Sequence, residues 1–401
     1  MTHTDERQGF RSLPLSPKLI ETLDRLGFIT PTPIQQAAIG PAIEGRDLIG
    51  IAQTGTGKTL AFGLPIAERL KAGQSALVLA PTRELAIQIQ EVFDALGLQT
   101  ALLIGGANMA KQIAQLRKNP AVVVATPGRL IDHIGQRTVR LDSTAICVLD
   151  EADRMLDMGF APSVRRILDK LPHKRQTMLF SATMPSEIAE LADQYLTDPI
   201  EVEVERAGTA AANVIQELLL VHQENKANML EQLLLEHPGS VLAFTRTRHG
   251  ARKLAKAVHR LGHAATEIHA DKTLVQRRAA LDGFKAGRYR VLIATDIAAR
   301  GIDVKDISLV INYDIPEKRE DYVHRIGRTG RAGASGRAIT LATPAQHKEI
   351  RNIERLLRKE LALSRHSLKP GPKGVVVLNT PKWHTSADRP HETHPKRLFA
   401  R

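Results

Sequence analysis

The sequence predicts two α/β domains in tandem, each a mostly parallel sheet with helices on both faces. Short apolar runs alternate with amphipathic stretches, and this alternation is typical of parallel sheets with crossover helices. The small-residue stretch "EVERAGTAAAN" at 203–213 interrupts the alternation, which then resumes. A length of 401 residues also favours more than one domain. We therefore expect a first domain at 1–205, a linker at 206–213, a second domain at 214–362 and a short disordered basic tail at 363–401.

The apolar runs give the predicted strands, and the stretches "RELAIQIQEVFDALG" and "PSVRRILDKL" are typical of the helices between them. The predicted strands of the first domain are 48–49, 76–79, 122–124, 146–149 and 178–180; those of the second are 241–244, 291–293, 309–311 and 339–341. Polar clusters directly follow several of these runs. Because ligands of open parallel sheets bind at the carboxyl ends of the strands, we expect the chemistry at that edge.

Composition favours a polyanionic partner and a reducing compartment. The chain carries 56 Lys and Arg against 43 Asp and Glu, a net charge of +13, and residues 364–401 alone carry eight against two. Aromatic residues make up only 3%, so a nucleic acid would be held mainly by its backbone. The one cysteine, Cys147, lies in a predicted strand and is expected in the core. It indicates a cytoplasmic protein.

Neither a membrane segment nor a targeting segment is expected. No apolar stretch approaches the roughly 18–20 residues that span a bilayer. The first residues, "MTHTDERQGFRS", are polar and include acids, which is not typical of a signal or transit peptide.

The segment "IAQTGTGKT" at 51–59 predicts a phosphate-binding loop. Gly55 and Gly57 let backbone N–H groups turn toward phosphate oxygens, Lys58 adds positive charge, and the Thr59 hydroxyl can ligate Mg²⁺. A helix begins here and adds its dipole. Ala52 stands where the general pattern has glycine. The alternative is a glycine-rich turn before a helix.

Three carboxylates, Asp150, Glu151 and Asp153, follow the predicted strand 146–149. A Mg²⁺ ion bound to phosphate needs an acidic partner at a neighbouring strand end, and Asp150 is expected to be that partner. Glu151 is then placed to orient or deprotonate the water that attacks the γ-phosphate. A divalent cation and a lysine would offset the repulsion among the acids. A solvated loop is the alternative for each acid taken singly.

The second half has no GKT or GKS sequence and offers "HRIGRTGR" at 324–331 instead. Arg328 and Arg331 lie three apart beside Gly327 and Gly330, which suits two guanidinium groups converging on one anion. An arginine brought to the γ-phosphate from another domain accelerates hydrolysis by ~10³–10⁵. Hydrolysis would then require both domains to close on one ATP. A basic surface run is the alternative.

Together these segments resemble the DEAD-box RNA helicase family. The motifs occur in family order between residue 10 and about residue 362: "AQTGTGKT", "PTRELA" at 81–86, "TPGR" at 126–129, "DEAD" at 150–153, "SAT" at 181–183, "ATDIAARGID" at 294–303 and "HRIGRTGR". The basic tail and "VLIATDIAARGIDV" are most similar to the bacterial RhlE-like branch. The resemblance implies two RecA-like domains with ATP and Mg²⁺ in the cleft between them and RNA across both.

The resemblance also implies a nucleotide site. "GFITPTPIQ" at 27–35 is similar to the family's Q motif, in which Phe28 would pack on adenine and Gln35 would hydrogen-bond its edge. Phe10 matches an aromatic residue that precedes this motif, and Asp303 would contact the ribose or nucleotide. The phosphate loop would contribute Ala52, Gln53, Thr54, Gly55, Thr56, Gly57, Lys58 and Thr59. Spacing alone predicts instead that Phe28 is a core residue and Gln35 a surface residue.

RNA contacts and coupling between the domains are implied in the same way. The RNA-binding residues would be Arg83, Gly105, Gly106, Thr126, Arg129, Thr247 and Thr295. Any of these could instead be a helix cap or a surface arginine. His324 would couple to Ser181, Ala182, Thr183 and Asp153.

Two positions depart from the family pattern. Ala270 replaces a frequent glycine in "IHAD", and Leu274 occupies the place of a glutamine three residues before Arg277. Gln276 faces another side of the predicted helix, so one RNA contact in the second domain is in doubt.

The leading functional hypothesis is an ATP-dependent RNA helicase of local, non-processive action. The alternatives are an ATP-gated RNA clamp or remodeller of RNA–protein particles, and a P-loop ATPase that acts on DNA or protein. The tail is either a solvated end or an electrostatic tether for RNA, to which Trp383 could add one stacking contact. Ribosomal and RNA-decay proteins are candidate partners, and the oligomeric state is left open.

Overall fold

Two parallel sheets of seven strands form the framework of the chain. The computed structural model describes residues 9–52, 55–204, 214–299, 307–330 and 336–364. We call 9–204 the first half and 214–364 the second half. The first sheet contains β1 (Leu48–Ile51), β2 (Ser75–Leu79), β3 (Thr100–Leu103), β4 (Val122–Ala125), β5 (Thr144–Leu149), β6 (Gln176–Ser181) and β7 (Ile200–Glu203). The second contains β8 (Val214–Leu220), β9 (Val241–Phe244), β10 (Ala265–Ile268), β11 (Val291–Ala294), β12 (Leu309–Asn312), β13 (Gly336–Ala342) and β14 (Ala362–Leu363).

The two sheets share one topology. Their strand orders are β3-β4-β2-β5-β6-β1-β7 and β10-β11-β9-β12-β13-β8-β14, which are the same order when strands are counted within each half. All pairs are parallel. Strand β5 is buried on both faces, because Ile146 and Val148 join one apolar cluster while Cys147 and Leu149 join another. Burial on both faces is what helices on both sides of a parallel sheet produce.

Helices connect the strands in both halves. Those of the first half are α1 (Pro17–Arg25), α2 (Pro33–Glu44), α3 (Lys58–Arg69), α4 (Arg83–Ala95), α5 (Met109–Leu116), α6 (Pro127–Gly135), α7 (Ala152–Asp157), α8 (Ala161–Leu168) and α9 (Ser186–Tyr195). Those of the second half are α10 (Lys226–Glu236), α11 (Arg248–Arg260), α12 (Leu274–Lys285), α13 (Asp296–Ala299), α14 (Arg319–Ile326) and α15 (His347–Leu357). Short 3₁₀ turns occur at Phe10–Ser12, Gln223–Asn225 and Pro344–Gln346.

The predicted fold class is confirmed, and so are the nine predicted strands and the core position of Cys147. The sequence prediction missed β3, β7, β8, β10 and β14. Strands β3 and β10 lie at sheet edges, and every residue of β7 except Val202 is partly or fully exposed. Their residues therefore do not form the continuous apolar runs of central strands.

One predicted boundary is wrong by two residues. Leu363, placed in the tail by the sequence, pairs with Leu218 in the second sheet, and the Ser364 amide donates to the Leu218 carbonyl at 2.9 Å. The predicted linker 206–213 and the remaining tail lie outside the described residues. Within the described ranges, no helix combines the length and apolar character that crossing a membrane requires.

Candidate active site

The carboxyl ends of the neighbouring strands β1, β6 and β5 bring three motifs together. Strand β1 ends at Ile51 and is followed by Ala52 and the phosphate loop, β6 ends at Ser181, and β5 leads directly into Asp150. Because all three strands are parallel, the residues that follow them lie at one edge of the sheet. From the second half, Phe244 at the end of β9 and Asp296 just after β11 line a small cavity together with Arg154 of this edge.

The phosphate loop is folded around Lys58, the first residue of α3. Lys58 is 6% exposed, and its Nζ donates to the Ala52 carbonyl at 2.9 Å. Gly57, which precedes it, has φ +90°, and a Cβ there would collide with the Gln35 amide nitrogen. Glycine is therefore required at 57 by both conformation and space. Gln53 and Thr54 lie outside the described residues.

Gln35 connects the start of α2 to this loop. Its Nε2 donates to the Gly57 carbonyl at 2.9 Å, and its Oε1 accepts from the Thr32 amide at 2.9 Å. Gln35 is 3% exposed whereas Phe28 is 43% exposed, so the assignment of both residues from spacing alone was wrong. Their predicted contacts with adenine stay predictions. Phe10 is buried among apolar residues of α1, α2 and α3.

Asp150 is a buried carboxylate with a raised pKa. Burial raises the pKa of Asp150 to about 6, against the opposing effect of Lys58 and with a contribution from Glu151. Its Oδ1 accepts from the Glu151 amide at 2.9 Å. The buried Asp150 carboxylate and the half-buried Thr59 hydroxyl supply oxygen ligands, which suit a hard cation. Mg²⁺ takes few protein ligands and keeps phosphate and water oxygens. The described residues hold no cluster of three or more His, Cys, Asp or Glu that forms a complete metal cage.

Glu151 is charged and conformationally strained. Its φ and ψ are both 52°, a left-handed conformation unusual for a residue other than glycine and frequent at functional sites. Its Oε2 accepts from Arg154 Nη1 at 3.0 Å, with both side chains buried. Although burial pushes the pKa of Glu151 upward, Arg154, Lys58 and Arg328 together hold it below its usual value. The carboxylate can therefore accept a hydrogen bond or a proton from water.

Asp153 is bound to the end of β6. Its Oδ2 accepts from the Ala182 amide at 3.2 Å and from the Thr183 amide and hydroxyl at 3.1 and 2.9 Å, while its own amide donates to Ser181 Oγ at 3.3 Å. Burial raises the pKa of Asp153, but His324, Lys58 and Arg154 bring it below its usual value. His324 belongs to the second half, yet it is close enough to Asp153 to lower its pKa. The predicted coupling residues therefore lie near one another.

The second half contributes a buried cationic cluster to the same cleft. A small cavity between the halves is lined by Arg154, Phe244, Asp296, Asp321, His324, Arg325 and Arg328. Arg328 is 4% exposed and its Nε donates to the His324 carbonyl at 3.3 Å. Arg331 and Asp303, both predicted at this site, lie outside the described residues.

Sequence reasoning missed two arginines of this cleft, Arg154 and Arg325. Arg154 follows Glu151 by one helical turn, a spacing that could have indicated the ion pair. Arg325 donates to both carboxylate oxygens of Asp296 at 2.5 and 2.7 Å, and also to Asn312 Oδ1 at 3.1 Å. Its guanidinium lies 4.9 Å from the centre of the Phe244 ring. Arg325 thus joins α14 to the ends of β9, β11 and β12.

The predicted RNA-binding residues of the first half meet around the loop after β3. A Cβ on Gly106, which has φ +78°, would lie 2.6 Å from Arg83 Nη1, so the Arg83 guanidinium lies directly over the glycine pair 105–106. Arg129 Nη2 donates to the Ala107 carbonyl of the same loop at 3.3 Å. Thr126 is the N-cap of α6.

The predicted RNA-binding residues of the second half follow β9 and β11. Thr247 caps α11 by accepting from the Gly250 amide at 3.0 Å, and Thr295 comes directly after β11. The RNA contacts of both halves stay predictions.

A second contact between the halves lies beside Arg83. Arg277 Nε is 3.0 Å from Glu84 Oε1, with the two side chains 11% and 8% exposed, and Arg277 Nη2 donates to the Ala298 carbonyl at 3.2 Å. Leu274, the departure from the family pattern, packs against the apolar core of the first half. At the position where the family often has a glutamine, this chain thus has a leucine that makes an apolar contact between the halves. Sequence reasoning did not single out Glu84.

Comparison with known proteins identifies the family. The DEAD/DEAH box helicase model matches residues 32–191, and the helicase conserved C-terminal domain model matches residues 225–333. The chain belongs to the DEAD-box helicase family. It is similar to the DEAD-box ATP-dependent RNA helicase CshA of Bacillus thuringiensis (strain Al Hakam), with 42% identity over 97% of this chain and 75% of that protein. It is also 46% identical to the ATP-dependent rRNA helicase RRP3 of Eremothecium gossypii, over 88% of this chain and 75% of that protein.

A solved member of the family has the same architecture. The structure of S. cerevisiae Dbp5 bound to RNA and ADP BeF3 matches with a TM-score of 0.82 and 31% identity, covering 89% of this chain and 95% of that one. Each half of this DEAD-box protein is therefore a RecA-like domain. The protein is an ATP-hydrolysing RNA helicase, as the two family matches and the similar helicases indicate.

Proposed function

We propose that the protein separates short RNA duplexes locally, and that RNA-dependent closure of its two halves switches on ATP hydrolysis. The observation that carries this proposal is the position of Arg328, which belongs to the second half yet lines the same small cavity as Arg154, the ion-pair partner of Glu151. Arg328 also helps to lower the pKa of Glu151. Glu151, which activates water, belongs to one half, and the cation Arg328 belongs to the other. ATP turnover therefore depends on closure of the two halves.

Within this proposal each residue of the cleft has a role at the triphosphate. Lys58 holds the outer phosphates, and Glu151 orients or deprotonates the attacking water, helped by the Arg154 contact that fixes its side chain. Arg328 and Arg331 stabilise the charge that develops on the transferred phosphoryl group. Thr59 and Asp150 would hold Mg²⁺, which supplies charge neutralisation at the phosphates. The loop residues Ala52, Gln53, Thr54, Gly55, Thr56 and Gly57 surround the phosphates.

The adenine and ribose contacts are part of the same proposal. The partly exposed Phe28 ring packs on adenine, Gln35 links adenine recognition to the phosphate loop through Gly57, and Asp303 contacts the ribose or nucleotide. Removal of the exposed ring would then weaken nucleotide binding with little loss of stability.

RNA is held by its backbone along the carboxyl edges of both sheets. In the first half, Arg83 and Arg129 grip phosphates from the two sides of the 105–106 glycine pair, with Thr126 at the N-terminus of α6. Thr247 and Thr295 continue the contact on the second half. Contacts of this kind read no sequence, so we propose binding that is independent of RNA sequence. The bound RNA in the Dbp5 structure supports this assignment.

Coupling between RNA and ATP runs through Asp153. It receives three hydrogen bonds from Ala182 and Thr183, and His324 of the second half lowers its pKa. Opening the cleft would move His324 away from this carboxylate, which would then keep only its hydrogen bonds to Ala182 and Thr183. An Asp153→Ala variant should therefore retain nucleotide binding but lose the stimulation of ATP turnover by RNA.

Four narrower assignments belong to the proposal. The protein is placed in the RhlE-like branch on the strength of "VLIATDIAARGIDV" and the basic tail, and in the cytoplasm on the strength of its one buried cysteine. Ribosomal or RNA-decay proteins are its candidate partners. The functional domains are proposed to span 1–205 and 214–364 around the linker 206–213.

A duplex-displacement assay tests the proposal against an ATP-gated clamp. A short labelled strand paired to a longer RNA should be released in the presence of ATP, and lengthening the duplex should stop release because the action is local. Glu151→Gln is the control that binds without turning over. A clamp would instead hold the RNA in the presence of ATP and release no strand at any duplex length.

A further inference from the structure

None of the functions assigned above uses the side of the first sheet at which its strands begin, which we call the amino edge. The ATP and RNA residues lie where the strands end, whereas two cavities lie where the strands of the first sheet begin. The first cavity, of about 540 Å³, is bounded by residues that precede β1, β2, β6 and β7. The second, of about 950 Å³, is bounded by residues that precede β2, β4 and β5. Lys71 and Gln74 line both, so the cavities form one continuous depression.

This depression is strongly basic. Arg46, Arg69, Lys71, Lys174 and Arg175 line the first cavity, and among the described residues Asp47 is the one acid in its lining. Asp47 is buried, and its carboxylate already accepts from the Thr177 and Thr197 amides at 2.7 Å each. The second cavity adds Arg117, Arg137 and Arg140. Within the described ranges its lining has one acid, Asp142, which lies 3.5 Å from Arg140.

Several of these cations have no acidic partner. Among the residues that the structure describes, no carboxylate lies within 4.0 Å of a charged nitrogen of Lys71, Arg117, Arg137 or Lys174. All four are exposed. Unpaired cations around a concave surface attract a polyanion and release its counterions on binding. We call the surface around these four residues the basic edge.

The lining of the cavities favours a nucleic acid over a protein. Protein-binding sites are enriched in Tyr, Trp, Phe and Met anchors, and neither lining includes any of the four. Lysine is depleted at protein interfaces, whereas Lys and Arg both contact phosphates. We propose that the basic edge is a second RNA-binding surface, which holds the phosphate backbone of RNA that extends beyond the segment bound at the carboxyl edge.

The geometry sets a condition on RNA length. The strands of the first sheet have four to six residues, so its two edges are ~13–20 Å apart. RNA must in addition pass around the helices that cover the sheet. An RNA just long enough for one site therefore contacts the carboxyl edge only, while a longer RNA reaches both the carboxyl edge and the basic edge. The basic edge would let the protein stay on a structured RNA while its core releases the separated strand.

The test compares a triple variant, Lys71→Gln with Arg117→Gln and Lys174→Gln, against wild type on two RNAs. Binding is measured by fluorescence anisotropy at several salt concentrations with a non-hydrolysable ATP analogue present. The short RNA has about 10 nucleotides, within the usual range of single-strand site sizes, and the long RNA is four times that length. For the long RNA we expect about tenfold weaker binding and a salt slope smaller by about 2, since each lost phosphate contact removes about 0.7. Affinity for the short RNA stays unchanged.

The matched control removes three other exposed cations, with Lys256→Gln, Arg260→Gln and Lys285→Gln. These residues lie near the ends of α11 and α12, have no carboxylate partner among the described residues, and line neither cavity. They should leave the affinity and the salt slope for the long RNA close to the wild-type values. An equal loss in both triple variants would mean that general charge, not the basic edge, holds the RNA, and would overturn the proposal.

The inference rests on the proposed function, and the two can fail separately. If short RNA stimulates ATP turnover of the wild type while the triple variant binds long RNA as tightly as wild type, only the basic edge is refuted. If no RNA stimulates the wild type, the proposed function fails and the second surface with it. Displacement of long RNA from the basic edge by polyglutamate at equal charge concentration would make an acidic protein the occupant and overturn the assignment to RNA.

Discussion

The two halves of this molecule are built on the same strand order, yet only one of them carries a phosphate loop. In the first half, β1 leads through glycines to α3, whose first residue is Lys58; in the second, β8 leads through a 3₁₀ turn to α10, whose first residue is Lys226. Asp150 follows β5, and Asp314 comes shortly after the corresponding strand β12. Each half thus places a buried lysine and an aspartate at equivalent positions.

The two pairs differ in what surrounds them. Lys226 Nζ donates to the Tyr313 carbonyl at 2.7 Å, lies 3.5 Å from Asp314 Oδ1 and sits 5.5 Å from the Tyr313 ring centre. Lys58 Nζ donates to the Ala52 carbonyl beside a glycine-rich loop, and no carboxylate among the described residues forms an ion pair with it. A lysine such as Lys226, whose ammonium group contacts a carbonyl, a carboxylate and a ring of its own domain, stabilises that domain. A lysine such as Lys58, which lies beside a glycine-rich loop, can turn to bind a phosphate. Function is therefore set by the loop added to the shared framework.

The largest expected effect comes from replacing the two lysines in turn. Lys58→Met should lower ATP turnover by about 10²–10³, the usual cost of removing a group that stabilises transition-state charge. Lys226→Met should leave the turnover of folded protein unchanged, because Lys226 faces its own half. Steady-state ATP hydrolysis at saturating RNA measures both, and a comparable loss of turnover in Lys226→Met would contradict the comparison.

The second effect is on stability, and here the Lys226 variant is expected to lose more than the Lys58 variant. Lys226→Met leaves Asp314 without its cation, and breaking such a buried pair costs about 3–5 kcal/mol. Because Asp314 is 24% exposed, we expect a loss near the lower end of that range. Urea unfolding measures it, with the exposed Lys256→Met as control. Equal unfolding midpoints for the two variants would show that the pair does not stabilise the second half.

The third effect is a pH dependence that comes from Asp150 in the first half. The folded pKa of Asp150, about 6, lies above the ordinary value of 3.8, so the free energy of unfolding falls as the pH rises from about 4 to 6 and the loss is complete above pH 6. Without nucleotide, Asp150→Asn should raise the free energy of unfolding at pH 7.5 by at most about 3 kcal/mol. The gain should vanish below pH 4, where both folded and unfolded carboxyls are protonated. Asp314→Asn should instead destabilise the protein, because it removes the charge partner of Lys226. A destabilised Asp150→Asn would contradict this account.

The smallest effect concerns the contact between the halves beside the RNA residues. Glu84→Gln leaves Arg277 buried without a charge partner only when the halves are closed, so the RNA concentration for half-maximal ATP turnover should rise by about tenfold. Glu91→Gln is the matched control, since Glu91 is 3.9 Å from Arg278 and both side chains are more than 60% exposed. Exposed pairs contribute little. Similar shifts in the two variants would remove Arg277 and Glu84 from the closure mechanism.

The sequence predicted the central strands and the convergence of the motifs because both follow from continuous apolar runs and from the parallel topology. It missed edge strands such as β3 and β7, whose exposed residues break the apolar pattern. It also reversed Phe28 and Gln35, because the burial of Gln35 comes from a tertiary hydrogen bond to Gly57, which spacing cannot report. The Arg277–Glu84 pair joins residues nearly two hundred positions apart, and only the packing of the two halves brings them together.

The most direct measurement of the central claim is steady-state ATP hydrolysis without nucleic acid, with RNA and with DNA of equal length, using Glu151→Gln as the blank. Closure on RNA brings Arg328 to Glu151, so we expect strong stimulation by RNA and little by DNA or by buffer alone. Equal turnover in all three conditions would mean that the cleft closes without RNA, and would contradict the coupling of the two halves that this structure supports.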